Sequence, residues 1–204
     1  RGIVGVTLHV DRIEAKRKLS QNKSEADFNG VERGLAASGD VRTHPVWRDA
    51  ETALLATRRV IALARKYGRR VHILHISTGE EMAFLRDHRD IATIETTINH
   101  LTLVAPECYE RLGTYAQMNP PVRDVTHREA IWGAVRDGVV DVLGSDHAPH
   151  TREEKDKVYP DTPSGMTGVQ TFVPIMLDHV NAGRLSASPP SRARHNGCAA
   201  RWQA

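Results

Sequence analysis

Three residues of this sequence have the right types and settings to do chemistry together. Asp146 lies in the run Gly144-Ser145-Asp146-His147-Ala148-Pro149-His150, directly after the apolar stretch 139–143. His75 ends a second apolar stretch, in Leu74-His75-Ile76-Ser77-Thr78, and His9 ends a third, 3–10. Two neutral imidazoles and a carboxylate, if brought together, make a good ligand set for Zn²⁺. A metal ion lowers the pKa of bound water toward neutrality, and a carboxylate touching that water can take its proton and later pass it to a leaving group. Metal-assisted hydrolysis of an amide-like bond follows from these parts, although the spacing alone names no substrate. Plainer readings stand beside this one. A lone strand-end histidine is often a core residue bonded to backbone, and 144–150 could be a Gly/Pro turn with solvated side chains.

Two further loops invite the same double reading. Asn119, in Gln117-Met118-Asn119-Pro120-Pro121-Val122-Arg123, is held by two prolines and suited to bidentate hydrogen bonding, or it is a plain turn residue. Pro163-Ser164-Gly165-Met166-Thr167-Gly168 can offer backbone N–H groups to an anionic ligand, or simply cap a helix starting near Gly168. Strand alternation points His72 away from His75 and makes it structural. His44, His88, His127, His179 and His195 read as surface or capping residues, and Arg58-Arg59 and Arg69-Arg70 as solvated faces.

The elements that must position these residues follow from local pattern. Residues 3–10, 70–76, 90–97 and 139–143 read as short buried strands. A helix opens at His44-Pro45, with Ala50, Leu54, Thr57, Ile61 and Ala64 on one stripe, and closes at Lys66 and Gly68. Ser77 and Glu80 fit a capping box for a helix running to about His88. A further helix spans 126–137, closed by Gly138, and a last one 168–181. Residues 11–42 and 101–124 read as irregular. Strands alternating with helices imply parallel pairing through helical crossovers, and polar residues gather just past the strand C-termini, where such sheets carry their chemistry. There is no internal repeat.

Composition narrows the class of protein. The chain has 204 residues, 40% apolar and 26% charged, which excludes a collagen-like or low-hydrophobicity disordered chain. A net charge of +3 with scattered basic residues and only 5% aromatics gives no nucleic-acid surface. No apolar run reaches the roughly 18 residues that would span a bilayer. Two cysteines make no disulfide framework, so a reducing cytoplasm is the expected setting.

The motifs HILHIST (72–78), NHLTL (99–103), QMNPPVR (117–123), GSDHAPHTREEK (144–155) and PSGMTGVQT (163–171) resemble those of bacterial dihydroorotases of the amidohydrolase superfamily. The resemblance covers residues 1–186, strongly from 44 onward and weakly from 10 to 43. It implies an α/β fold, a partial (β/α)₈ TIM barrel comprising about strands 5 to 8 with their helices. It implies Zn²⁺, one or two ions, with His9, His75 and Asp146 as metal ligands and Asp146 also as general acid/base. Asn119, His150 and Gly165 match the substrate contacts. The implied reaction interconverts N-carbamoyl-L-aspartate and L-dihydroorotate in pyrimidine biosynthesis, on a small-molecule substrate, in a homodimer or a complex with aspartate transcarbamoylase. The runners-up are another cyclic amidohydrolase (hydantoinase or allantoinase) and a non-catalytic dihydroorotase-like subunit of aspartate transcarbamoylase.

The departures from that family are specific. No His-x-His followed by Arg precedes His9, no bridging Lys or Asp of the fourth strand is found, and Ile98-Asn99 stands before His100. The chain opens on Arg1, and residues 187–204 lose the resemblance. The expectation is a domain over 1–186 that is inactive and aggregation-prone by itself, followed by a disordered tail.

Overall fold

The computed structural model describes residues 39–185. The expected strand 3–10 with His9, the domain limit at 186 and the tail 187–204 with His195 lie outside the described residues. A 3₁₀ turn at Val41–Thr43 leads into α1 (His44–Trp47) and α2 (Ala50–Tyr67). Strand β1 (Val71–Ile73), α3 (Gly79–Arg86), β2 (Ala92–Thr97), α4 (Ile98–Thr102), α5 (Glu107–Leu112) and α6 (Val125–Arg136) follow. Strand β3 (Val142–Gly144), α7 (Arg152–Lys155) and α8 (Val169–Asn181) complete the order.

The three strands form a parallel sheet in the order β1-β2-β3, with Ile73 opposite Ile94 and Thr97 opposite Gly144. Helical crossovers connect them, as the alternating pattern predicts. One face of the sheet is packed. Ile73 and Ile94 meet Ile61 of α2, Leu85 of α3, Ile131 and Trp132 of α6 and Met176 of α8. The opposite face carries His72, whose Nδ1 lies 2.8 Å from Thr93 Oγ1 across the β1–β2 pair, in the structural role expected for it. A second cluster, Val41, Cys108, Tyr109, Met118, Val122 and Tyr159, packs the connections beyond the strand ends. Among the described residues no helix is long and apolar enough to cross a membrane.

Several boundaries differ from the sequence reading for local reasons. The helix expected to run on from His44 is split. Asp49 takes the N–H of Thr52 (2.6 Å) and starts α2 afresh, which Gly68 ends in the left-handed conformation at φ +58°. Thr78, one residue later than Ser77, caps α3. Its hydroxyl accepts from Glu81 N–H (3.1 Å) and donates to the Glu81 carboxylate (2.9 Å), while Ser77 is turned to Arg123. The stretch 101–124, expected to be irregular, holds α5 and the last two residues of α4, each helix too short to show a helical period. Strand β3 begins at Val142 because Asp141 makes the preceding link to β2 partly with its side chain, its carboxylate accepting from Ile94 N–H at 2.9 Å.

Candidate active site

His75 lies just beyond β1 and Asp146 just beyond β3. Each has a positive φ, +38° and +43°, and among the described residues they are the only non-glycine residues that do. Such backbone costs about 1–3 kcal/mol per residue and tends to be kept where a side chain must be aimed. Here it brings two side chains together from separate strands. His75 Nδ1 stands 3.9 Å from Asp146 Oδ1, with both groups about one-third exposed. Two ligands of a tetrahedral zinc ion at bond lengths near 2.1 Å stand about 3.4 Å apart, so the pair lies about half an ångström wider than two positions of such a site. Among the described residues no third His, Cys, Asp or Glu completes a cluster around them.

The loop after Asp146 is built against the segment 163–168. The N–H groups of Gly168 and Val169 donate to His147 Nδ1 (3.0 and 3.3 Å), which makes His147 the cap of α8. Ala148 N–H donates to Met166 O, and Gly165 N–H donates to Gln117 O. These bonds take the N–H groups of Gly165 and Gly168 out of those that 163–168 could offer to an anion. His150 stands at the start of α7, where Thr151 and Glu154 form a capping box, and its Nδ1 is 3.5 Å from Glu154 Oε2. Gly165 and His150 are neighbours. A Cβ at Gly165 would come within 2.9 Å of His150 Nε2 and 2.6 Å of Ala148 O, so the close approach excludes any side chain.

Asn119 shares with His75 a cavity of about 820 Å³, walled also by His44, Gln117, Arg123 and Tyr159. Asp146, His150 and Gly165 do not line it. The structure therefore pairs His75 with Asp146, His75 with Asn119, and His150 with Gly165.

The residues that hold this arrangement are mostly ones the sequence does not flag. Lys155 is buried with its ammonium on three main-chain carbonyls, those of Gln117 (3.3 Å), Pro163 (3.0 Å) and Gly165 (3.1 Å). It ties loop 163–165 to the segment that carries Asn119, and burial lowers its pKa. Arg123 reaches from the same segment to Ser77 Oγ and to the carbonyls of Arg48 and Asp49. His100, fully buried, joins Thr97 Oγ1 (2.8 Å) to Pro120 O (3.1 Å). Burial pushes its pKa down to about 4, so the ring is neutral at physiological pH.

Two histidines read as surface or capping residues are in fact buried. His44 lies against Asn119, and His179 packs edge-on to Trp132 with Nε2 3.0 Å from Thr102 Oγ1. Each stands in a helix whose buried side is set by packing far along the chain. His127, as expected, sits at a helix end, accepting from Gly79 N–H.

No family model matches the chain. Curated relatives do. A dihydroorotase of Halobacterium salinarum is 33% identical over 183 residues, covering 90% of this chain and 39% of that protein. One from Lactococcus lactis is 36% identical, covering 68% of this chain and 33% of that protein. Among solved structures, the L-hydantoinase (dihydropyrimidinase) from Arthrobacter aurescens matches with a TM-score of 0.71 and 26% identity over 78% of this chain and 37% of that one. A dihydropyrimidinase from Brevibacillus agri shares the fold with a TM-score of 0.70 at 22% identity, covering 78% of this chain and 37% of that one. The chain thus spans between a third and two-fifths of the length of these relatives. By its sequence and its parallel α/β fold, the chain is that of a dihydroorotase-like amidohydrolase.

Proposed function

We propose that the chain supplies part of the active site of a zinc-dependent cyclic amide hydrolase that interconverts N-carbamoyl-L-aspartate and L-dihydroorotate. The expected strand 3–10 followed by β1, β2 and β3 is read as four consecutive staves in the second half of a (β/α)₈ barrel, strands 5 to 8. One observation carries the reading: His75 and Asp146, on different strand ends and both in left-handed backbone, converge to 3.9 Å. The dihydroorotase relatives supply the substrate class. The cavity holding Asn119 has the size of a small-molecule site.

His75 and Asp146 would hold the zinc ion, with His9 as a third ligand. Bound there, zinc would supply a water of lowered pKa and a polarised carbonyl. Asp146 takes the proton of the water that attacks the ring carbonyl and returns it to the departing amide nitrogen, so the ring C–N bond breaks as the C–O bond forms. Asn119 and His150 hold oxygens of the substrate, and the Gly165 main chain lies against the ring. The pairing of His75 with Asp146 argues against a non-catalytic subunit. The likeness to hydantoinase structures favours one alternative, hydrolysis of hydantoin-type rings.

The test is an assay of the chain completed to the length of its dihydroorotase relatives, with dihydroorotate, hydantoin and allantoin and with zinc added or removed by a chelator; the 204-residue chain alone is expected to be inactive. Zinc-dependent turnover of dihydroorotate above the other two, lost in Asp146→Asn, is the expected result. Preference for hydantoin selects the alternative, and full turnover in Asp146→Asn overturns the assignment.

A further inference from the structure

We infer that His44 is a positioning residue that fixes which end of the Asn119 amide faces the ligand, so that this position takes an oxygen and rejects an N–H. The inference rests on Asn119 being a ligand contact, as proposed above.

The polarity can be followed atom by atom. His44 is buried at 4% exposure and sits on the wall of the cavity that Asn119 lines. Its Nε2 lies 3.0 Å from Met118 O and 3.1 Å from Asn119 Oδ1. A main-chain carbonyl can only accept, so Nε2 must carry the proton. The neutral ring then has a bare Nδ1, which faces the Tyr159 hydroxyl at 3.4 Å and accepts from it. With Nε2–H aimed at it, the Asn119 amide must present its oxygen to the ring, because the opposite orientation would set N–H against N–H. The Asn119 nitrogen is left with two N–H donors, and among the described residues no acceptor meets them.

The Met118 carbonyl thus sets the His44 tautomer, and the tautomer sets the amide. An asparagine without this support could rotate by half a turn and serve donors and acceptors alike. With it, the position discriminates, and a carbonyl or carboxylate oxygen of a cyclic amide or its ring-opened acid is the chemistry it accepts. Burial keeps His44 neutral, in agreement with this proton assignment.

Two measurements test this. Long-range ¹H–¹⁵N NMR of the protein, with the His44 ring signal identified by its loss in His44→Gln, should show the neutral Nε2–H form. The Asn119 side-chain amide peaks, identified by their loss in Asn119→Asp, should move in His44→Phe. Neither measurement needs turnover, so both judge the positioning even if none of the cyclic amides proves to be a substrate.

Where turnover is found, His44→Phe should raise KM about 5- to 10-fold, the worth of one neutral hydrogen bond, with kcat little changed. His44→Gln, which keeps an N–H for Asn119, should recover most of that loss. His44→Phe should add nothing on top of Asn119→Ala. If His44→Phe fails to fold, Tyr159→Phe replaces it and should raise KM by a smaller factor. An Nδ1–H ring, unmoved Asn119 peaks, a kcat loss at constant KM, or independent effects in the double variant would each overturn the inference.

Discussion

Trp132 and Met118 are equally inaccessible, each 1% exposed, yet their surroundings are built differently. Trp132 belongs to a cluster that is mostly aliphatic and comes from four helices and the sheet, with Ile61, Ile73, Leu85, Ile94, Ile131 and Met176, and His179 packs edge-on to its ring. Around Met118 the apolar cluster is small, and buried polar side chains stand among it or beside it, namely His44, Gln117, Arg123 and Lys155. The first region supports strands, and any aliphatic side chain of the right volume serves. The second supports loops, whose main-chain carbonyls need donors because no sheet or helix satisfies them. It is held by particular groups at particular distances, which also fits it to set the orientation of Asn119.

The largest expected effect tests the aliphatic region. Trp132→Ala should cost about 3–5 kcal/mol, read from the urea unfolding midpoint, through lost contact and the cavity left behind. A loss under about 1 kcal/mol would mean that this region is not the principal core.

The next effect belongs to pH and to the polar region. The folded pKa of His100 is about 4, and the unfolded ring titrates near 6.5. The unfolded state therefore binds the proton first as the pH falls. The stability is fully present above about pH 6.5 and is lost toward pH 4, at up to about 1.4 kcal/mol per pH unit. His44, also lowered by burial, acts in the same direction. Urea midpoints measured across this window should fall with pH, and His100→Asn should flatten the slope.

A direct contrast comes from two isosteric changes. Lys155→Met strands three carbonyls and should cost about 1–3 kcal/mol. Leu85→Met in the aliphatic region should cost less than about 1.5 kcal/mol. The reverse order in thermal or urea unfolding would break the comparison.

Smaller effects come from the periphery. Asp49→Ala removes the cap of α2 and should cost about 1 kcal/mol by the same measurement. The exposed ion pair of Arg65 with Asp90 belongs to neither region, and Arg65→Met should leave the midpoint where it was.

The aliphatic region could be read from the chain because its information is local. The stripe Thr57, Ile61 and Ala64 has helical spacing, β1 and β2 carry apolar residues at alternate positions (Val71 and Ile73, Ala92 and Ile94), and His75 and Asp146 lie just past their strands. The polar region could not. His44 meets Asn119 across 75 residues of sequence, and Arg123 meets Asp49 across 74. Nothing near a lone histidine or arginine marks a partner so far away. Lys155 closes a four-residue helix that looks solvated, and only the fold shows three carbonyls converging on it. The same limit explains why the strand-end pair was legible as two candidates, while their 3.9 Å meeting was not.

The left-handed backbone at His75 and Asp146 also governs how the two positions can be varied. Asparagine and glycine adopt positive φ at little cost, whereas alanine is strained there and β-branched residues more so. An alanine scan at these sites would mix a chemical deletion with a conformational penalty and could report both as one loss. Asparagine keeps the turn and, at Asp146, the shape of the side chain, while removing the charge and the basic oxygen. The backbone thus selects the replacement that separates chemistry from folding. A saturation library at either position should sort its folded members by tolerance for φ before it sorts them by anything a substrate would notice.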